Sequence, residues 1–244
     1  MLEEQTRENH EEDYFKYGEK EIQYLKEKDP VLGKAIDEIG LIKRSVIPDL
    51  YMALLNAIVG QQISTKAQKT VWARMQNQFA PLTPENIGEI PAEELQTCGI
   101  SMRKATFIKE LTETILRGEL DLAKLPDMTD EEVCKELVKL KGVGVWTAEM
   151  LMTFSMERMN IMSWDDLAIQ RGLRMLYRHR KITRELFAKY KRRYSPYATV
   201  ASLYLWAIAG GAIEELTDPA SKTTPKKKTV KKKSNVKGSE SREQ

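Results

Sequence analysis

Apolar residues recur along most of this chain at three- and four-residue intervals, the spacing that lines one face of an α-helix. The run 47–64, "IPDLYMALLNAIVGQQIS", begins with the helix-start residues Pro48 and Asp49 and keeps helical spacing up to Gly60. A second helix is predicted over 65–80, opened by Ser64 or Thr65 as a cap. Residues 83–101 are cut by Gly and Pro into short helices, whereas 103–118 is amphipathic and stops at Gly118. The stretch 129–142 opens with a capping residue and acids in its first turn. Further helices are expected at 145–156, 163–178, 184–194 and 196–211. No stretch alternates with the period of a strand, and there is no internal repeat, GxGxxG or P-loop. The pattern predicts an all-α protein.

Charge changes this picture mainly at the ends. The 244 residues are enough for one large domain or two small intertwined ones. Residues 1–13 hold six acids and one Arg, and residues 217–244 hold eight Lys and one Arg against three acids. Both segments are polar, charged and poor in large apolar side chains, so an acidic leader and a Lys-rich tail are expected to be disordered. The formal net charge of +3 therefore hides a near-neutral body. A polyanion partner would have to be met by a local basic face and by backbone amides, with the tail adding non-specific attraction. The run "PKKKTVKKK" (225–233) reads equally as a nuclear-targeting signal or as a basic tether.

No apolar run approaches the ~18–20 residues of a membrane span, and the N-terminus lacks the basic start and apolar core of a signal peptide. A cytoplasmic protein is expected, with the nucleoid in a bacterium or nuclear in a eukaryote. Cys98 and Cys134 are far apart in sequence and read as reduced thiols. His10 and His179 have no triad or metal-ligand neighbours, which argues against His-based catalysis.

The chemistry concentrates in "LVKLKGVGVWTAEMLM" (137–152), which reads as helix, four-residue turn, helix. Gly142 and Gly144 relieve the steric limit on φ and let the backbone approach a ligand closely. Free amides in the turn and at the next helix start suit one phosphate, and Val143 and Val145 are expected to plug the turn into the body. A plain helix corner with a Gly cap has the same short motif. The longer string closely resembles the helix–hairpin–helix of the base-excision DNA glycosylases, a superfamily named for that hairpin, a Gly/Pro-rich loop and an essential Asp. The resemblance covers roughly residues 45–213.

The resemblance implies a two-lobed all-α HhH-GPD fold with the active site in the cleft between lobes. A central lobe (49–155) would contain the hairpin (137–152), and a terminal lobe would be formed by 14–48 plus 156–216. The family's catalytic Asp lies about twenty residues past the hairpin, and "SWDDLAIQRGLRML" supplies Asp166 with the matching spacing to Ile169, Arg171 and Gly172. Asp165 also falls in that window and reads as a cap or solvent-facing neighbour; N-capping is the ordinary use of either residue. A carboxylate there would stabilise the oxocarbenium-like sugar and orient water, and a helix start favours its negative charge.

Glycosylases of this superfamily that also cut the strand use a hairpin Lys to form a Schiff base, in the slot filled here by Trp146. A monofunctional enzyme is therefore implied. No four-cysteine cluster is available, so no iron–sulfur cofactor is expected and no metal-ligating residues are assigned. Carbonyls of the hairpin are a place where a monovalent cation can bind in the family. The motifs "GVGVWTA", "DDLAIQR" and "PYATVASLYLW" are most similar to the 3-methyladenine DNA glycosylase II group. The implied base pocket is Trp146, Met150 and Trp206, with core packing an equal alternative for Trp206. An electron-rich ring suits a cationic alkylpurine.

The implied DNA-binding residues are Gly142, Val143, Gly144, Lys141, Arg103 and Lys104, joined by the basic 190–194 segment. Gln62 in "VGQQIS" is the candidate to fill the space of the flipped base, although an apolar wedge is more usual. The partner would be double-stranded DNA carrying damaged bases, and a monomer is the default for an enzyme that scans DNA. The larger bacterial members carry an N-terminal β-sheet domain without counterpart here, and Met150 stands where the group can have Tyr. Two alternatives fit the same residues: excision of deaminated or oxidised bases on the same scaffold, and non-catalytic DNA binding through the hairpin.

Overall fold

A computed structural model describes residues 13–220. The acidic leader, except Asp13, and the lysine run 225–233 lie outside the described residues. Within them the chain forms twelve α-helices: α1 (Glu19–Lys28), α2 (Pro30–Ile39), α3 (Leu50–Gly60), α4 (Thr65–Phe79), α5 (Pro84–Glu89), α6 (Ala92–Leu95), α7 (Met102–Leu116), α8 (Asp130–Leu137), α9 (Val145–Phe154), α10 (Leu167–Tyr177), α11 (Arg184–Tyr194) and α12 (Ala198–Ala209). Strand pairing among the described residues is confined to one isolated bridge between Tyr14 and Ser45. The all-α expectation holds.

Helix starts follow the capping residues. Asp29, Asp49, Ser64, Thr83, Ser101, Thr129, Asp166 and Thr183 each accept a backbone N–H of the first turn, satisfying donors that the helix itself leaves open. Thr129 and Glu132 complete a reciprocal capping box on α8.

Two apolar cores divide the molecule. One is built from α3 to α9, between Tyr51 and Ile161, with fully buried Leu54, Ile58, Met75 and Ile108. The second joins the chain's two ends: α1 and α2 pack with α10, α11 and α12, burying Leu25, Leu32, Leu173, Tyr194 and Tyr204. At its centre α10 and α12 approach backbone to backbone, because Gly172 has no side chain; a Cβ there would clash with the Leu205 carbonyl oxygen. Asp29 ties this second body together. One of its carboxylate oxygens caps α2, and the other takes Tyr177 Oη and Arg193 Nη1, both at 2.6 Å.

Three expectations are corrected. The final helical turn expected up to Gly142 ends at Leu137, and the connection to α9 runs over 138–144, longer than a four-residue turn. Leu140 and Val143 point inward, and three i→i−3 hydrogen bonds tighten this stretch, so its apolar spacing imitates a helix. Val145 is not a plug: it is 48% exposed, while Val143 is buried. Finally, the terminal segment remains placed through Ala220, because Asp218 forms a two-pronged ion pair with Arg174. That pair lies beyond the boundary at 217 expected for the tail.

Candidate active site

A cleft of about 880 Å³ opens between the two cores. Its walls come from the extended 42–47 segment, the end of α3 and the turn after it, the inner face of α9, the start of α10 and α12. The spacing on α9 explains its contribution: Trp146, Met150 and Phe154 lie four residues apart and so share one face.

Asp166 is the only carboxylate lining the cleft among the described residues, and it is 7% exposed. Its two oxygens divide the work. Oδ1 accepts the Ala168 and Ile169 amides at 2.9 Å each, which caps α10 and fixes the side chain. Oδ2 accepts the indole N–H of Trp146 at 3.0 Å. Capping and a place in the cleft are thus compatible uses of one residue. Asp165, by contrast, is exposed and does not line the cleft.

Trp146 stands on the first turn of α9 with 46% of its surface open. Trp206 lines the same cleft, its ring tilted on Phe154 at 5.5 Å. It is neither free nor pure core, since one side packs and the other faces the cavity. Met150 lines the wall between them. Trp72 and Trp164 are packing residues, the first against the larger core and the second edge-on to Phe187.

The hairpin lies at the cleft's side. Gly142 has φ +84°, a left-handed backbone, and an added Cβ would sit 2.6 Å from Phe107. Gly144 stands before α9 without a side-chain cap, and its carbonyl accepts the Ala148 amide. The first N–H groups of α9 therefore have no intrahelical acceptor, a ready anion site. Val143 is corrected as a donor: its N–H is taken by the Leu140 carbonyl at 3.1 Å, so it anchors the loop instead. The Gly142 carbonyl accepts the Gln61 side-chain amide at 2.5 Å, so a monovalent cation would have to share that oxygen with an existing donor.

The expected cationic contacts divide sharply. Lys104 is corrected: its ammonium donates to the Val59 and Gln61 carbonyls at 2.8 and 2.7 Å, closing the end of α3. Burial pushes its pKa down, and it serves the fold. Lys141 is exposed but bonded to Glu110 at 2.7 Å. Arg103 is exposed, with its guanidinium over the Phe107 ring at 5.3 Å, beside the hairpin. In the 190–194 segment, Arg193 is committed to Asp29. Gln62 is exposed on the turn after α3 with φ +57°, at the cleft's edge.

Sequence reasoning missed Arg44 and Phe154. Arg44 is the only cationic side chain lining the cleft among the described residues, and its guanidinium lies 4.9 Å from the Phe154 ring centroid. Phe154 was detectable from its α9 spacing; Arg44 comes from an irregular segment with no periodicity to mark it.

These features define a class: a helix–hairpin–helix protein with an ordered carboxylate in a cleft between two helical bodies. The model of the HhH-GPD superfamily of base excision DNA repair proteins matches residues 55–196, and the chain belongs to that superfamily. DNA-3-methyladenine glycosylase 1 of Schizosaccharomyces pombe is 34% identical over 163 residues, which cover 64% of this chain and 71% of that protein. The crystal structure of a DNA-3-methyladenine glycosidase from Bacillus halodurans superposes with a TM-score of 0.73 at 32% identity, covering 83% of this chain and 95% of that one. A 3-methyladenine DNA glycosylase from Schizosaccharomyces pombe in complex with abasic DNA gives 0.70 at 28% identity, with 79% and 97% covered.

Proposed function

We propose that this protein is a monofunctional DNA glycosylase that hydrolyses the N-glycosidic bond of alkylated purines, 3-methyladenine and 7-methylpurines, flipped out of duplex DNA. It leaves an abasic site for base excision repair. The observation that carries this reading is the Trp146–Asp166 pair: an aromatic platform hydrogen-bonded to a carboxylate that two backbone amides hold at the cleft wall.

A purine alkylated at N3 or N7 is cationic. When the C1′–N bond breaks, its electron pair neutralises the base, so no strong general acid is needed. Positive charge moves to the sugar, where Asp166 stabilises it and orients or deprotonates the attacking water. Indole faces of Trp146 and Trp206 favour the cationic base before cleavage, by about 2 kcal/mol when desolvated. No Lys lines the cleft among the described residues, which agrees with hydrolysis by water and not with a Schiff-base step.

The uncapped start of α9, with the amide of Gly144 and the left-handed Gly142, receives a DNA phosphate, while Arg103 adds charge beside it. Gln62 occupies the space left by the flipped base and hydrogen-bonds to the orphaned partner. The protein acts as a monomer. The test is chromatography of bases freed from methylated duplex DNA by the full chain, with strand integrity checked before and after alkali. Free 3-methyladenine or 7-methylguanine with strands nicked only by alkali is the expected result. Binding without base release would reduce the protein to a DNA-binding module.

A further inference from the structure

The cleft holds one carboxylate, Asp166, and one cation, Arg44, among the described residues. An arginine is out of place in a pocket whose reading above demands affinity for cationic bases: a fixed positive charge repels them. The residue is exposed, but the backbone that carries it is well held. Arg44's carbonyl accepts the Phe15 amide at 2.9 Å, Val46 N donates to the Asp13 backbone carbonyl at 2.8 Å, and Ile47 N donates to the carbonyl of Phe154 at 2.8 Å. The backbone on both sides is thus tied down, partly to α9 itself. The guanidinium packs over Phe154, which in turn packs on Trp206, and forms no ion pair with a described residue.

Resting on the glycosylase reading, we propose that Arg44 is a specificity-determining residue that selects lesions by charge: its guanidinium contacts the acceptor edge of a neutral purine with oxygen at C6. The chemistry of departure gives such a group a role. When a neutral purine leaves, the C1′–N9 electron pair stays on the base, which becomes an anion until solvent protonates it. Water's oxygen adds to C1′, and its proton passes to Asp166 or to bulk water. A guanidinium fork on O6 and N7 stabilises that developing charge and matches two adjacent acceptors. A cationic alkylpurine leaves as a neutral molecule and gains nothing from Arg44.

The inference is tested with duplexes carrying a single hypoxanthine, which keeps O6 and N7 free, or a single 7-methylguanine, which is cationic. Single-turnover release and duplex affinity are measured for the wild type, Arg44→Gln and Arg44→Lys. Arg44→Gln should lose hypoxanthine release by about ten- to a hundredfold, the range of a charge-assisted hydrogen bond, while 7-methylguanine release holds or rises. Arg44→Lys should fall between, retaining charge without the fork. Equal loss on both lesions with weaker duplex affinity would make Arg44 a phosphate contact and overturn the inference. So would wild-type release of 7-methylguanine with none of hypoxanthine. Release of neither base by the wild type would instead remove the glycosylase reading itself.

Discussion

Trp146 carries two functions in one side chain, and substitution separates them. Its indole N–H orients Asp166 Oδ2, and its ring supplies a face to the cleft. Trp146→Phe keeps the face and loses the donor, so base release should slow by about tenfold with little change in KM, as expected for one lost hydrogen bond. Trp146→Ala loses both, and its KM for alkylated duplex should rise as well. Stopped-time release assays at several substrate concentrations separate the two effects. Equal behaviour of the two variants would mean that the ring face contributes nothing. At this scale the sequence was partly legible: the spacing of Trp146 and Asp166 marked both residues, but nothing marked which carboxylate oxygen would cap α10 and which would meet the indole.

Close approach governs the elements. Gly142 lets the hairpin pass beside Phe107, and Gly172 lets α10 lie on α12. Gly142→Ala is strained by both its φ of +84° and the contact with Phe107. It should cost about 1–3 kcal/mol of stability and weaken duplex binding by displacing the start of α9. Gly172→Ala has a steric conflict with backbone and not with a ring that can turn, so its loss should be the larger of the two. Urea unfolding of both variants, with duplex affinity measured on each, checks the order; affinity should change only for the hairpin variant once folded fractions are matched. Helix starts were readable because caps are short-range chemistry. The end of α8 was not, because Leu140 and Val143 continue an apolar spacing through a stretch that is no longer helical.

Across the whole molecule, the ends are tied to the body by buried or half-buried carboxylates that no local pattern revealed. Burial alone would raise the pKa of Asp29, but hydrogen bonds from Tyr177 and Arg193 outweigh it and hold the carboxyl below its usual value. The Arg174 guanidinium lowers Asp218 to about 2. A depressed folded pKa means that the unfolded chain binds the proton more readily. The stabilisation is therefore complete above the ordinary carboxylate value of about 3.9 and is lost as pH falls through the folded value. Thermal melts from pH 6 to pH 2 should show stability dropping below about pH 4, and Asp218→Asn should flatten that slope. Asp29→Asn removes one charge of a pair whose other member, Arg193, is 33% exposed, so its cost at neutral pH should be about 3 kcal/mol. Long-range pairs such as Asp29 with Arg193 need the fold before they can be seen, as does Arg44's place in the cleft. Sequence periodicity records what each helix buries and not what its polar ends will meet.

Asp166 is the centre of the proposed reaction, and Asp166→Asn removes its charge while keeping its shape. Asn caps helices about as well as Asp, so α10 should form and the fold should hold. The measurement is single-turnover release of 3-methyladenine from methylated duplex, wild type against Asp166→Asn, with duplex affinity determined in parallel. The variant should bind DNA as tightly and release base at least about a hundredfold more slowly. Release at the wild-type rate by a folded, DNA-bound variant would contradict the proposed reaction.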